Sequence, residues 1–559
     1  QVVEAVEEEY GLNDPLIEQY LSYMGNLLKG DLGISYQDPG TSVEEIIGRA
    51  APLTVSLGLS ALIVSVIVGT GCGVFYAASE KRAVKKVIGS LGMLAAGIPG
   101  FAAAILLLMV FSVKLKWFPS SGLFSFSHYI LPVTALSLYP TAVITRMTGH
   151  ALDEEMAKDY VLFARAKGLK KSRIIFTHAL KNAWFPVLNY IGPASAFLLT
   201  GSFAIESVFT IPGLGREFVM SIANRDYTLI LGLTVFMGTV VILLNLLTDL
   251  LGAWLDQVSE ELTERNKKKL VSGTGGRCDK NMRKENRISS KKRKGYRDEK
   301  AALIILLIWI FLAVCVPLFG PYSPTEQNAE IRNQPMSLIH FFGTDEFGRD
   351  NFTRVWYGAG ISLVIGVGSS LINGMIGILY GAVAGYRGKR IDMILMRAAD
   401  VIAAIPSILY VILITLVMGP GIKSMIFGIC IAGWIDMARV VRGEMIRLKE
   451  TDFAAAAKID GISGIRILFR HLLPNALGMI VVNFLFLIPQ AIFTEAFLSF
   501  LGVGLSAPTA SLGTLIQEGR DRMILYPCEL LAPLITLCVL LVVFHILAMA
   551  MERRGGQTD

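Results

Sequence analysis

Charge is scarce in this chain: only 17% of its 559 residues are Asp, Glu, Lys or Arg, against 53% hydrophobic. That balance excludes a disordered chain and an ordinary soluble enzyme. Cysteine is scarce as well. The six cysteines, at 72, 278, 315, 430, 528 and 538, include no CxxC pair, which argues against a zinc site or a disulfide framework. Most lie in apolar runs and read as small hydrophobes. The sequence has no GxxxxGK[ST] phosphate loop, so it shows no means of binding ATP. No Ser-His-Asp or Cys-His constellation stands out, and no catalytic residue is assigned. His178 and His471 lack Cys or carboxylate neighbours at ligand spacing, so no metal site is expected.

Long hydrophobic runs are plentiful, with a mean hydropathy of +0.56. A helix needs roughly 20 apolar residues to cross the hydrocarbon core. The first half offers runs near 52–79, 87–113, 129–147, 185–206 and 228–255. The second offers 301–320, 361–385, 393–418, 421–441, 476–498 and 527–551. The expected fold is an all-α, polytopic membrane protein with about 11 visible transmembrane helices.

Basic charge is concentrated between the halves. Residues 261–300 hold fifteen Lys and Arg against six Asp and Glu, so the net positive charge is no nucleic-acid-binding face. This stretch reads as a solvated linker. It divides the chain into a first domain at 1–256, a basic cytoplasmic linker at 257–300 and a second domain at 301–559. Residues 1–50 carry ten Asp and Glu with only Lys29 and Arg49 as basic residues. The segments Glu80–Lys86, Arg146–Lys181 and Arg387–Arg390 and the tail Arg553-Arg554 are basic. Five and then six spans place all of them on one face, which is cytoplasmic by the positive-inside rule. The acidic amino terminus then lies outside. A further helix is expected ahead of Gln1, making twelve spans in two sets of six.

The halves repeat at an offset of 293. Arg146, Asp159, Ala164, Gly168, Arg173, Phe176, His178, Leu180 and Asn182 recur as Arg439, Asp452, Ala457, Gly461, Arg466, Phe469, His471, Leu473 and Asn475. Both copies lie on the cytoplasmic side, so the repeat is parallel. Ala-rich stretches such as Ala454–Ala457 favour helix, and the glycine permits a sharp turn or close backbone approach. A second amphipathic stretch follows at Arg466–Leu473. The pattern predicts a helix–turn–helix knob facing the cytoplasm.

The spacing of small residues, Gly and a His-x-Leu segment in this loop resembles the coupling motif of the permease subunits of binding-protein-dependent ABC importers. The motif's Glu is absent from both copies, and Lys181 stands where the second copy has Pro474. Phe209–Arg216 is similar to the first permease of the dipeptide, oligopeptide and nickel importers. Phe342–Asp350 and Thr494–Gly504 are similar to the second. The resemblance implies two tandem permease domains in a bacterial inner membrane, importing dipeptides or oligopeptides. It implies two separate ABC ATPase subunits, which bind ATP and Mg, and an extracytoplasmic substrate-binding protein. No cofactor is expected in this chain. Ala164, Gly168, Ala457 and Gly461 would be close-packing contacts with the ATPases. Arg165, Lys167, Arg173 and Arg466 would lie at the rim, and His178 and His471 at the interface or a helix end. A nickel or metal-chelate importer of the same family is the alternative. An ion-gradient-driven transporter fits less well, because its repeats are often inverted.

Glu206 and Glu495 close the fifth span of each half and precede the glycine turns Gly213-x-Gly215 and Gly502-x-Gly504. They are candidates for an external gate or docking surface, or else mark a helix end emerging into water. Asn189, Asn245, Asp249, Asn373, Asp400, Asn483, Gln490 and His545 are expected mostly to hydrogen-bond between helices. Gly377-x3-Gly381-x3-Gly385 reads as a packing stripe, and Pro99, Pro406 and Pro489 as kinks. The topology has a direct check. In a background without native cysteines, Ala83→Cys is expected to react with an impermeant maleimide only after the inner membrane is opened. Ser120→Cys is expected to react in cells whose inner membrane is intact. The reverse pattern would invert the orientation.

Overall fold

A computed structural model describes residues 14–270 and 285–555. Among the described residues there is no β-strand, only the isolated bridges Ile34–Ser42 and Thr344–Asp350. The first half contains α1 (Leu16–Leu28), α2 (Val43–Ala78), α3 (Arg82–Gly97), α4 (Gly100–Leu107), α5 (Phe126–Glu155), α6 (Asp159–Ala166), α7 (Phe185–Val208), α8 (Leu214–Ala223) and α9 (Tyr227–Leu270). The second contains α10 (Glu285–Phe319), α11 (Asn351–Arg387), α12 (Lys389–Ala403), α13 (Ser407–Met418), α14 (Ile422–Ala432), α15 (Ile435–Lys449), α16 (Asp452–Ile459), α17 (Leu473–Phe500), α18 (Leu512–Asp521) and α19 (Pro527–Gly555). Helices dominate because a chain in hydrocarbon must satisfy its own backbone polar groups.

Among the described residues eight helices are long and apolar enough to cross a membrane, and ten spans result when each bent pair counts as one. The remaining expected run, 185–206, falls in α7, several of whose side chains lie outside the described residues. The bent pairs are α3–α4, at 105°, and α12–α13, at 69°. Pro99 and Pro406 stand at the two breaks with extended ψ values of 140° and 131°. A proline bars its predecessor from helical geometry, so each expected kink is a full break. Pro489 remains inside α17.

Helix extends into the expected linker. α9 continues to Leu270 and α10 begins at Glu285, so helix enters 257–300 from both sides. The flanks are rich in Lys, Arg, Glu and Leu, all good helix formers. The Gly- and Ser-containing centre, 271–284, lies outside the described residues.

Helix order repeats across the halves: α2 answers to α11, α3–α4 to α12–α13, α6 to α16, α7 to α17 and α8 to α18. In the tightest crossings the lining residues are small. A Cβ on Gly69 would stand 2.8 Å from Ile144 Cβ, and one on Gly73 would stand 2.6 Å from Thr148 Cβ, so α2 lies backbone-close to α5. At the equivalent positions of α11, a Cβ on Gly377 would come within 2.6 Å of Trp434 O, and one on Gly385 within 2.7 Å of Arg442 O. Gly381, between them, abuts the Ala438 carbonyl. Lipid tails offer no hydrophobic drive between helices, so such close contact carries the association.

Loops assigned by charge to one face meet in space. Lys171 donates to Glu80 at 2.8 Å and to the Ala78 carbonyl at 3.0 Å. Its hydrogen bond and charge hold the Glu80 carboxyl below the usual carboxylate range. In the second half Lys449 donates to the Tyr386 carbonyl at 2.7 Å.

The polar residues of the spans bond more locally than expected. Asn483 donates to Met479 O at 2.9 Å, and His545 Nδ1 lies 3.1 Å from Leu541 O, both one turn back in the same helix. Asp400 pairs with Arg439 at 3.0 Å. Asn373 is buried beside Gly433. Asn189 and Gln490 are exposed. The side chains of Asn245 and Asp249 lie outside the described residues.

The crossing of α11 with α15 yields a stability prediction. Gly381→Leu is expected to cost about 1–3 kcal/mol by overpacking, seen as a lower unfolding temperature of the purified chain in detergent. Gly443→Leu, on the exposed face of α15 with open space around it, is expected to leave that temperature unchanged.

Candidate functional site

The two repeated loops fold the same way, hydrogen bond for hydrogen bond. α6 ends where Gly168 adopts φ +76°, and α16 ends where Gly461 adopts φ +73°. Gly168 N donates to Arg165 O at 2.9 Å and Leu169 N to Ala164 O at 3.2 Å. Gly461 N donates to Lys458 O at 3.1 Å and Ile462 N to Ala457 O at 3.2 Å. Each pair of bonds closes a helix end in the Schellman manner, for which the left-handed residue is glycine. Nothing lies within 4 Å of a Cβ on either glycine. The turn itself therefore demands glycine, and the space beside it is open.

The chain then re-enters helix at Lys171 and Gly464 and passes through a short π-helical stretch, Ile174–Ala179 or Leu468–Leu472. The inner face of each knob is anchored in its own half. Ile174, Ile175 and Ala179 are buried in the first, and Ala454, Ala457, Ile467 and Leu472 in the second. Ala457 is 6% exposed, so its packing partners are α15 and α17 of this chain. Ala164 is half-buried, and His471 is too, whereas Arg165, Lys167, Arg173, His178 and Arg466 are exposed.

Sequence reasoning missed an outward apolar set. Phe163 and Phe176 are 69% and 63% exposed, and Ile459 and Phe469 are 86% and 52% exposed. Apolar residues on the polar face of short amphipathic helices were the available signal. Clustered on two matched knobs, they suit a protein surface.

The knobs differ underneath. Tyr160 donates to Glu155 at 2.7 Å, and Lys158 pairs with the same carboxylate. Burial, followed by the Glu155 hydrogen bond and charge, pushes the Tyr160 phenol up to about 12. At the matching positions the second half has Leu448, which is buried, and Phe453.

At the opposite end, Glu206 and Glu495 are both 0% exposed. Neither emerges into water. Glu206 Oε2 accepts from Gly215 N at 2.8 Å and Arg216 N at 3.1 Å, at the start of α8. Thr54 of α2 donates to Glu206 Oε1 at 2.8 Å and accepts from Leu214 N at 2.8 Å. A carboxyl at a helix N-terminus faces unsatisfied N–H groups and the positive end of the dipole. Glu495 plays the same part through hydroxyls. Ser362 of α11 donates to it at 2.7 Å and Ser499 at 2.8 Å. Ser362 also accepts from Leu512 N at 3.4 Å, at the start of α18.

The glycine turns are not equivalent, although their sequences are alike. Gly213 and Gly215 begin α8, whereas Gly502 takes φ +81° directly after α17. Eleven residues separate α17 from α18, and only five separate α7 from α8. The true counterpart of Gly215 is Gly513: a Cβ would stand 2.5 Å from Phe203 Cα in one half and 2.7 Å from Ala496 Cα in the other. Gly213 lies against Glu206 and Thr54, and Gly504 against Ser499, so each admits no side chain.

Glu206→Gln keeps one oxygen for Gly215 N and Arg216 N but turns an amide donor toward the Thr54 hydroxyl, which now donates to Glu206 and already accepts from Leu214 N. The expected loss is about 1–3 kcal/mol for each buried group left unsatisfied. It should appear as a lower unfolding temperature of the purified chain. Glu495→Gln, facing rotatable hydroxyls, should lose less. Unchanged temperatures in both would remove the carboxyls from this holding role.

Comparison with known proteins agrees with the tandem arrangement. The family described as binding-protein-dependent transport system inner membrane component matches twice, at residues 69–258 and 377–555. The oligopeptide transport system permease protein OppC of Bacillus subtilis (strain 168) is 41% identical over 254 residues, 45% of this chain and 83% of that protein. The dipeptide transport system permease protein DppC of the same organism is 46% identical over 224 residues, 40% of this chain and 70% of that protein. The dipeptide transport system permease protein DppB, again of that organism, is 41% identical over 251 residues, 45% of this chain and 82% of that protein. Each relative fills less than half of this chain. With two family domains in one all-helical, multi-pass chain, the protein belongs to the inner membrane components of bacterial binding-protein-dependent transport systems.

Proposed function

We propose that this chain is the translocation unit of an ATP-driven importer of dipeptides or oligopeptides. The observation that supports the coupling mechanism is the pair of Schellman-closed knobs, alike in turn geometry and matched by the repeat. One ATPase subunit docks on each knob. Gly168 and Gly461 lie nearest it, with Arg165, Arg173 and Arg466 and the exposed aromatics around them. ATP and Mg bind in those partner subunits. Closure of the ATPases moves the knobs and reopens the passage on the other side. An extracytoplasmic binding protein delivers the substrate. The peptide class rests on the relatives, which are oligopeptide and dipeptide transport permeases.

Uptake into proteoliposomes holding this chain, its ATPases and the binding protein tests the substrate. ATP-dependent entry of labelled di- or oligopeptide is expected. Entry of labelled nickel alone would overturn the substrate class, and entry driven by an ion gradient without ATP would overturn the importer. The knobs have their own test. Gly168→Val with Gly461→Val forces a β-branched residue into left-handed backbone, at about 1–2 kcal/mol per site. Uptake per ATP should fall at least tenfold. Asn tolerates that backbone, so the Asn pair should retain uptake if the turn alone matters and lose it if the ATPase seats directly on the glycines. Full uptake in the Val pair would remove the knobs from coupling.

A further inference from the structure

The halves meet along a seam at the extracytoplasmic end. Phe101 of α4 stacks on Phe500 at 5.3 Å and lies 6.1 Å from Phe493 and Phe497, all three on α17. This apolar cluster of rings joins one half to the other. Two guanidiniums border it, one from each half. Arg520 of α18 reaches across to donate to Ser207 O, near the end of α7, at 2.8 Å. It also lies over the Phe500 ring, 5.5 Å from its centroid. Arg216 of α8 donates to Thr210 O at 3.2 Å, three residues on from Ser207. Arg520 thus reaches a carbonyl in the last turn of α7, and Arg216 one in the turn that follows it.

Neither guanidinium forms an ion pair among the described residues, and this sets them apart from their neighbours. Arg522 binds Glu529 at 3.0 Å, and Arg354 binds Asp345 at 2.7 Å and Glu518 at 2.9 Å. Burial pulls the Arg520 pKa down from its ordinary value, Asp521 opposes this, and Arg216 adds a like-charge push downward. Two partly buried cations, bonded to carbonyls and in Arg520's case also set over an aromatic ring, have no carboxylate bonded to them among the described residues. A carboxylate, which matches the guanidinium fork, is the anion such a pair takes best.

We propose that Arg520 and Arg216 form the carboxylate-recognition point of the extracytoplasmic mouth. As the seam opens, Arg520 leaves the Ser207 carbonyl and takes the carboxylate of the arriving substrate, with Arg216 beside it. Phe500 then faces the apolar part of the same molecule. This inference rests on the peptide reading, in which the α-carboxylate or an acidic side chain is the anion.

The test uses the complete transporter in proteoliposomes, with the binding protein saturated by each probe. The probes are trialanine, trialanine C-terminal amide, and Ala-Glu-Ala C-terminal amide. Wild type should favour trialanine over its amide. Arg520→Gln should raise the KM for the trialanine-loaded binding protein about tenfold, the order of one charge-assisted hydrogen bond, and leave that for the amide-loaded protein nearly unchanged. Arg520→Lys should restore part of the preference. A preference for Ala-Glu-Ala amide over trialanine amide, lost in Arg520→Gln, would assign the acidic side chain as the anion. If Arg520→Gln lowers uptake of all three probes equally, Arg520 only ties the halves together and the recognition role falls. If that variant does not fold, the trialanine-to-amide ratio in Arg216→Gln decides, and an unchanged ratio overturns the proposal. A wild type that transports none of the peptides with ATP overturns the peptide reading, and this inference with it. A wild type that transports all three probes equally overturns only this inference.

Discussion

The close backbone crossing of α2 with α5, and of α11 with α15, is the contact on which the other features hang. In hydrocarbon, packing and hydrogen bonds are what bring two helices together. The glycines at 69, 73, 377, 381 and 385 provide the first by removing side chains where a carbonyl or Cβ must pass. Each of these long helices is then tied at both ends. α2 holds Glu206 and Leu214 through Thr54 outside, and Lys171 of the knob through the Ala78 carbonyl inside. α11 holds Glu495 and Leu512 through Ser362 outside, and Lys449 through the Tyr386 carbonyl inside. Each half thus contains one continuous helix that reaches the knob at one end, through Ala78 in the first half and Tyr386 beside Gly464 in the second, and the cap at the other.

That arrangement gives the proposed transport cycle a physical route. A push on a knob meets a helix whose side cannot slide freely, because its glycines are interleaved with a neighbour. Displacement passes along the helix to the outer caps α8 and α18. These are held by buried carboxyls and hydroxyls, so they move with α2 and α11. The seam of Phe101 with Phe493, Phe497 and Phe500 lies beside them.

Much of this was legible in the sequence, and the parts that were not have physical reasons. The repeat at offset 293 located both knobs, because local hydrogen bonds and one left-handed glycine define them. The stripe Gly377–Gly385 announced its crossing through helical spacing alone. Pro99 and Pro406 marked the breaks, though not their different angles. Glu206 and Glu495 were visible as matched positions, but their burial depends on Thr54 and Ser362, more than a hundred residues away. The glycine turns misled because likeness of sequence concealed a longer connection ahead of α18. Gly513, the real partner of Gly215, is recognisable only once the two caps are superposed in space. The basic segment between the halves looked like linker by composition, and its flanks continued the adjoining helices because Lys, Glu and Arg suit both.

The two knobs share a backbone but not an interior. Under the first lies a polar triad of Glu155, Lys158 and Tyr160, and under the second an apolar contact built on Leu448. Hydrogen bonds of that kind resist sliding in a set direction, whereas apolar contacts yield more evenly. A pair of identical motors pulling on these two handles would therefore meet a stiff joint and a compliant one, and the stroke would acquire a leading side.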